Sequence, residues 1–229
     1  MAWVWGQRRA ALTPFHETPR WRRLSGPFPT THMHLLARFL CLSLLLNLSA
    51  LAQEQVDAKQ PWEIGSQNVE AGVLWQIGTL TSFPYRLIET QYSWKTAAVF
   101  THVNEDGSRV ILRHRFTLIG AALQQGPESY YVALSASPSI EWWNAAGTWS
   151  VYGGSGGGFG LVDAQGVPGG LGQELTLNWL IRGGIEHLIS PHHRITAGIM
   201  YQHMSNGGMT DPNPGIDALG FSFGYGWSF

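Results

Sequence analysis

Tyr201-Gln202-His203-Met204-Ser205-Asn206-Gly207-Gly208, with Asp217 nine residues further on, brings a base, a hydroxyl, an amide and a carboxylate into one short stretch. A carboxylate that orients an imidazole, which in turn takes a proton from a hydroxyl, is what makes serine a nucleophile. That assigns His203 as base, Ser205 as nucleophile and Asp217 as the orienting acid. The Asn206 amide and the Gly208 backbone N–H are candidate donors for an oxyanion hole.

These residues must be held together, and the spacing around them says how. Ile195, Ala197, Ile199 and Tyr201 fall on one face of a strand over 193–205, and the same period carries His203 and Ser205 onto that face. In a hairpin centred near residue 210, His203 pairs opposite Asp217. Asp217 lies two residues before Leu219 and shares its face. Parity therefore gathers Ser205, His203 and Asp217 on one side of a sheet. The same residue types also serve as polar rim positions of a barrel, and parity alone does not separate the two readings.

Period-two alternation runs through the chain from about residue 67. Leu175, Leu177, Trp179, Ile181, Ile185 and Ile189 oppose Glu174, Thr176, Asn178, Arg182 and Glu186. Ile88, Tyr92, Trp94, Ala98 and Phe100 oppose Glu89, Gln91, Ser93, Lys95 and Thr101. Eight segments emerge, near 67–78, 86–102, 109–123, 129–142, 148–162, 173–189, 193–205 and 216–229, separated by turn signals such as Glu105-Asp106-Gly107 and Gln125-Gly126-Pro127. Several exceed the five or six residues typical of soluble strands. No segment has a helical period. The pattern predicts an eight-stranded antiparallel transmembrane β-barrel, with apolar residues facing lipid and charges of both signs pairing inside, for example Arg113, Arg115 or Arg182 with Glu89, Glu141 or Glu186. Such a bore is filled, so a pore is not expected. The last strand puts Leu219, Phe221, Phe223, Tyr225, Trp227 and Phe229 on one face and Gly or Ser on the other, and so resembles the closing strand of bacterial outer-membrane proteins.

Composition agrees with a barrel. Charged residues make up 13% and aromatic residues 12%, with 28 Gly and 11 Trp. Residues 1–52 hold six Arg and one Glu, which leaves the remainder acidic and without a basic patch for nucleic acid. Residues 1–32 read as a mis-assigned or disordered extension. Residues 33–52 read as a signal peptide, with an apolar run over Phe39 to Leu48 and a small-x-small site at Ala50-Leu51-Ala52. Residues 53–66 form a polar periplasmic lead-in, and 67–229 form the barrel with the hairpin 193–229 as its reactive part. Cys41 lies in the segment expected to be removed, so disulfides and thiolate metal sites are not expected.

His203-x-Ser205-Asn206 with Gly207-Gly208, then Asn213-Pro214-Gly215-Ile216-Asp217, resembles the lipid A 3-O-deacylase family (PagL-like) of the outer membrane. The resemblance implies a bacterial outer-membrane esterase that removes an ester-linked 3-hydroxyacyl chain from lipid A without a metal or other cofactor. It places base, nucleophile and acid on His203, Ser205 and Asp217, and the oxyanion hole on Asn206 and Gly208. Where the family pattern has Glu, this chain has Asp217, one methylene shorter. Outer-membrane phospholipase carries a similar His-x-Ser-Asn-Gly run on a larger, twelve-stranded barrel, so phospholipid is the alternative substrate. A non-catalytic structural or adhesive barrel is the alternative from another class. The oligomeric state is open, with a homodimer among the options. Gly153-x-Ser155-x-Gly157 matches a nucleophile elbow in spacing but lacks the strand–helix setting. His192-His193 reads as a turn and not a metal site.

Overall fold

Because large apolar residues recur at alternate positions in most segments from Ser66 onward, the chain folds as strands with two unlike faces. A computed structural model describes residues 60, 62–164, 166 and 168–229. The extension and signal peptide expected over 1–52 lie outside the described residues, as does most of the lead-in. The strands are β1 (Ser66–Gln76), β2 (Arg86–Lys95), β3 (Phe100–Val103), β4 (Arg109–Gln124), β5 (Tyr130–Trp143), β6 (Trp149–Val162), β7 (Leu175–Ser190), β8 (His193–Ser205) and β9 (Ile216–Ser228). Each pairs antiparallel with its sequence neighbour except across the β2–β3 break. Contacts of β1 with β9 and of β2 with β4 close the sheet on itself. The result is an eight-stranded antiparallel β-barrel.

The second stave is split where one strand was expected over 86–102. Lys95 pairs with Arg115 and Phe100 with Leu112, so the four residues 96–99 face only two on β4. Thr96 N–H donates to His114 O at 2.9 Å and Val99 N–H to Leu112 O at 2.8 Å across this bulge. The bulge redirects the strand. Ala98, expected outward, packs against the interior cluster of Trp62, Ile111 and Trp143, and Thr101, expected inward, is exposed.

Elsewhere the alternation reads out as burial. Leu177, Trp179, Ile181 and Ile185 on β7 are 44–48% exposed, while Thr176, Asn178, Arg182 and Glu186 between them are buried. Inside, Lys95 Nζ donates to Glu141 Oε1 at 2.9 Å and to Glu186. Arg113 lies 3.4 Å from Glu141 and Arg194 3.4 Å from Glu186. Arg115 pairs with Glu70, which also accepts from Ser222 Oγ at 3.1 Å. Arg113 thus finds its expected class of partner, Arg115 pairs with a different glutamate, and Arg182 forms no ion pair among the described residues. Within the expected lead-in, Trp62 turns into the barrel mouth, and its carbonyl accepts from Arg113 Nη2 at 2.5 Å.

The two ends differ. Connections 104–108, 144–148 and 191–192 lie at one end, and the longer connections 77–85, 163–174 and 206–215 at the other. An apolar interior layer that includes Leu74, Ile119, Leu180, Met200 and Met204 sits beneath the long loops. The glycine-rich run of β6 lets β5 approach closely. A Cβ on Gly158 would lie 1.9 Å from Leu134 O, and Ser155 is an exposed strand position. That makes the elbow-like spacing a packing feature.

Candidate active site

Directly opposed residues of an antiparallel pair bring their Cβ atoms to about 4.5–5.5 Å, close enough for short side chains to touch. In the β8–β9 ladder His203 stands opposite Asp217, as the hairpin register predicted. His203 Nδ1 lies 2.8 Å from Asp217 Oδ1. The shorter aspartate therefore reaches the imidazole. With the carboxylate accepting from Nδ1–H, Nε2 is left as the basic nitrogen.

The face is the outer one. Gln202 and Met204 are fully buried on either side of His203, whereas the His203 and Asp217 side chains are 31% and 17% exposed. Ser205, two residues beyond His203 on the same face, is partly exposed. Its Oγ accepts a long hydrogen bond from Gly207 N–H at 3.4 Å. Among the described residues no hydrogen bond joins Ser205 to His203, so the structure brings acid and base together and leaves the serine adjacent but unengaged.

The oxyanion donors expected at Asn206 and Gly208 are placed differently. Asn206 is buried, and its Nδ2 donates to Thr210 O at 2.9 Å, Thr210 Oγ1 at 3.0 Å and Pro212 O at 3.1 Å. Its Oδ1 accepts from Gly208 N–H at 2.9 Å, and its own N–H donates to Asn213 Oδ1 at 2.9 Å. A primary amide has two N–H donors, and both are spent on the loop. Asn206 thus braces the 206–215 connection, and neither it nor the Gly208 N–H is free toward Ser205 in this state.

Two further residues shape the site. Tyr201, read from sequence as part of the apolar stripe, donates its hydroxyl to Asp217 Oδ1 at 2.5 Å. Its offset of two from His203 on the same face was the available signal. Gly215 has a φ of 70°, which favours glycine, and a Cβ there would stand 3.1 Å from His203 Cε1 and press on the imidazole.

The site also has a defined height on the barrel. His203 is level with Trp179 on β7, and Tyr201 is in the row of Leu219, which pairs onward with Trp75. Trp179, in the first of these rows, and Trp75, in the second, are 46% and 44% exposed and belong to the aromatic girdle of the long-loop end. A second aromatic group, with Trp142, Trp149 and Tyr225, rings the short-turn end, where His193 Nδ1 meets Tyr225 OH at 2.5 Å. His192-His193 thus belongs to that rim. Among the described residues no three His, Cys, Asp or Glu side chains gather as a metal site.

The model of the lipid A 3-O-deacylase (PagL) family matches residues 70–226. The chain belongs to this family. That membership, with the lipid-facing wall, places the protein in the bacterial outer membrane. Among solved structures, neisserial surface protein A is similar, with 14% identity, 72% of this chain and 97% of that one covered, and a TM-score of 0.51. This likeness supports the barrel fold alone. The outer-membrane enzyme PagL aligns at 18% identity over 69% of this chain and 97% of that one, with a TM-score of 0.48. No curated protein sequence matches this chain.

Proposed function

We propose that the protein is a serine esterase that removes an ester-linked 3-hydroxyacyl chain from lipid A. The observation that carries the reading is the His203–Asp217 pair on the lipid-facing side, level with the loop-end girdle. Polar groups on that face are costly unless they serve a purpose. The girdle marks the depth at which the headgroup ends and acyl chains begin.

In the proposed reaction, His203 Nε2 takes the Ser205 Oγ proton as Oγ attacks the acyl carbonyl. Collapse of the tetrahedral intermediate breaks the ester bond. The leaving sugar hydroxyl takes its proton from His203. Water, deprotonated by His203, then attacks the acyl-enzyme, releases the 3-hydroxy fatty acid and restores Ser205. Ser205 must first turn toward His203. Unliganded catalytic pairs are often apart, and both side chains start from one face. The Gly207 N–H, already 3.4 Å from Ser205 Oγ, supplies a backbone donor for the oxyanion. Gly208 can contribute only if its N–H exchanges Asn206 Oδ1 for substrate, and Asn206 would act through the shape of the turn.

Mass spectrometry of lipid A after incubation with the detergent-purified protein tests this. The wild type should remove one 3-hydroxyacyl chain and Ser205→Ala none. Phospholipid in the same micelles should stay intact. An unchanged lipid A profile with folded wild-type protein would leave the non-catalytic barrel, and loss of phospholipid alone would select the phospholipase reading.

A further inference from the structure

Tyr201 and His203 contact the same carboxylate oxygen. The Tyr201 hydroxyl donates to Asp217 Oδ1 at 2.5 Å, and His203 Nδ1 stands 2.8 Å from that atom. We propose that Tyr201 is a positioning residue which tethers Asp217 so that this short acid holds His203 in its working orientation. The inference rests on the esterase reading above.

The geometry follows from the ladder. Asp217 is directly opposite His203, and Tyr201 is opposite Leu219, so Tyr201 and Asp217 are diagonal neighbours on one face. Diagonal positions are about 7–8 Å apart, a span that a phenol bridges and a small side chain does not. The ring itself is held, because Trp179 of β7 packs edge-on against it with centroids 5.7 Å apart at 73°. A carboxylate offers two oxygens and several lone pairs, so an aspartate held only by His203 could swing between them. A second charge-assisted donor on Oδ1 removes that freedom. Such a tether matters more for aspartate than for glutamate, because the shorter side chain has less reach to recover if it rotates away. Asp217 is only 17% exposed, which leaves little room for solvent to supply the missing donor on that oxygen.

Tyr201→Phe deletes the hydroxyl and leaves the ring to pack on Trp179. Steady-state hydrolysis of lipid A in mixed micelles should show kcat lowered by about ten- to a hundredfold, as for other partners that orient a reactive group, with KM changed by less than about twofold. In an Asp217→Asn background the same substitution should cost little more, since its effect passes through the carboxylate. Heat-modifiable gel mobility, which reports a closed barrel, should match wild type for each variant. Wild-type kcat for Tyr201→Phe, a change confined to KM, or an equal loss in the Asp217→Asn background would overturn the tether. Ser205→Ala is assayed beside them. If it is inactive while Tyr201→Phe is unaffected, the tether alone fails. If Ser205→Ala retains activity, the esterase reading fails and the tether falls with it.

Discussion

Asn206 shows how one residue type can serve two ends. An amide beside a reactive serine can donate to an oxyanion, and the sequence motif invites that role. In the folded chain its side chain instead ties Thr210, Pro212 and Gly208 together from a fully buried position. Removing it deletes these hydrogen bonds to Gly208, Thr210 and Pro212, at about 0.5–1.5 kcal/mol each. Asn206→Ala should therefore loosen the 206–215 connection, seen as faster amide exchange and faster proteolytic nicking there, together with lower esterase activity. Lost activity with unchanged exchange would instead mark Asn206 as a direct donor. Asp217 makes the complementary point. One methylene fewer than glutamate is compensated by direct opposition to His203 and by the Tyr201 hydroxyl.

At the scale of elements, the hairpin of β8 and β9 was legible because a strand has period two and a hairpin fixes register. The pairing of His203 with Asp217, and the outward direction of both, follow from counting alone. What counting could not show is contact between a stripe residue and the site. Tyr201 resembles any girdle aromatic until the diagonal across the ladder is drawn. The break in the second stave was equally hidden. Thr96-Ala97-Ala98-Val99 carries no Gly or Pro to announce a bulge, and the cause lies in three dimensions. Arg113 from β4 donates to Thr96 O and to the Trp62 and Ile64 carbonyls, so the distortion accommodates the segment that plugs the mouth. Loop packing was likewise invisible. Gly172 N–H donates to Pro212 O at 3.1 Å, and Ile77 N–H to Asp217 O at 2.8 Å, so two other long connections support the reactive hairpin.

For the whole molecule, the barrel inverts the usual arrangement. Its outer wall is apolar and its centre is an ion-pair network with Lys95 between Glu141 and Glu186. That network fills the bore, while the ladders on either side of β8 set the distance from β7 to β9. Lys95→Ala would leave Glu141 with Arg113 and Glu186 with Arg194, each at 3.4 Å, and remove the cation they share, at a cost of up to about 3–5 kcal/mol. Urea unfolding of the folded protein in detergent should show a midpoint lowered accordingly, whereas an unchanged midpoint would mean the interior is hydrated enough to replace the lysine. The rigid wall in turn keeps a polar pair at one depth in the bilayer, facing outward, where a lipid ester can reach it without entering the barrel. In the proposed mechanism Ser205, on that outer face, becomes a nucleophile through His203. A long-chain alkyl fluorophosphonate added to the micelle-bound protein, followed by peptide mass spectrometry, tests it most directly. Phosphonylation is expected at Ser205 in the wild type and at no serine in His203→Ala. Label on another serine, or equal labelling of His203→Ala, would contradict it.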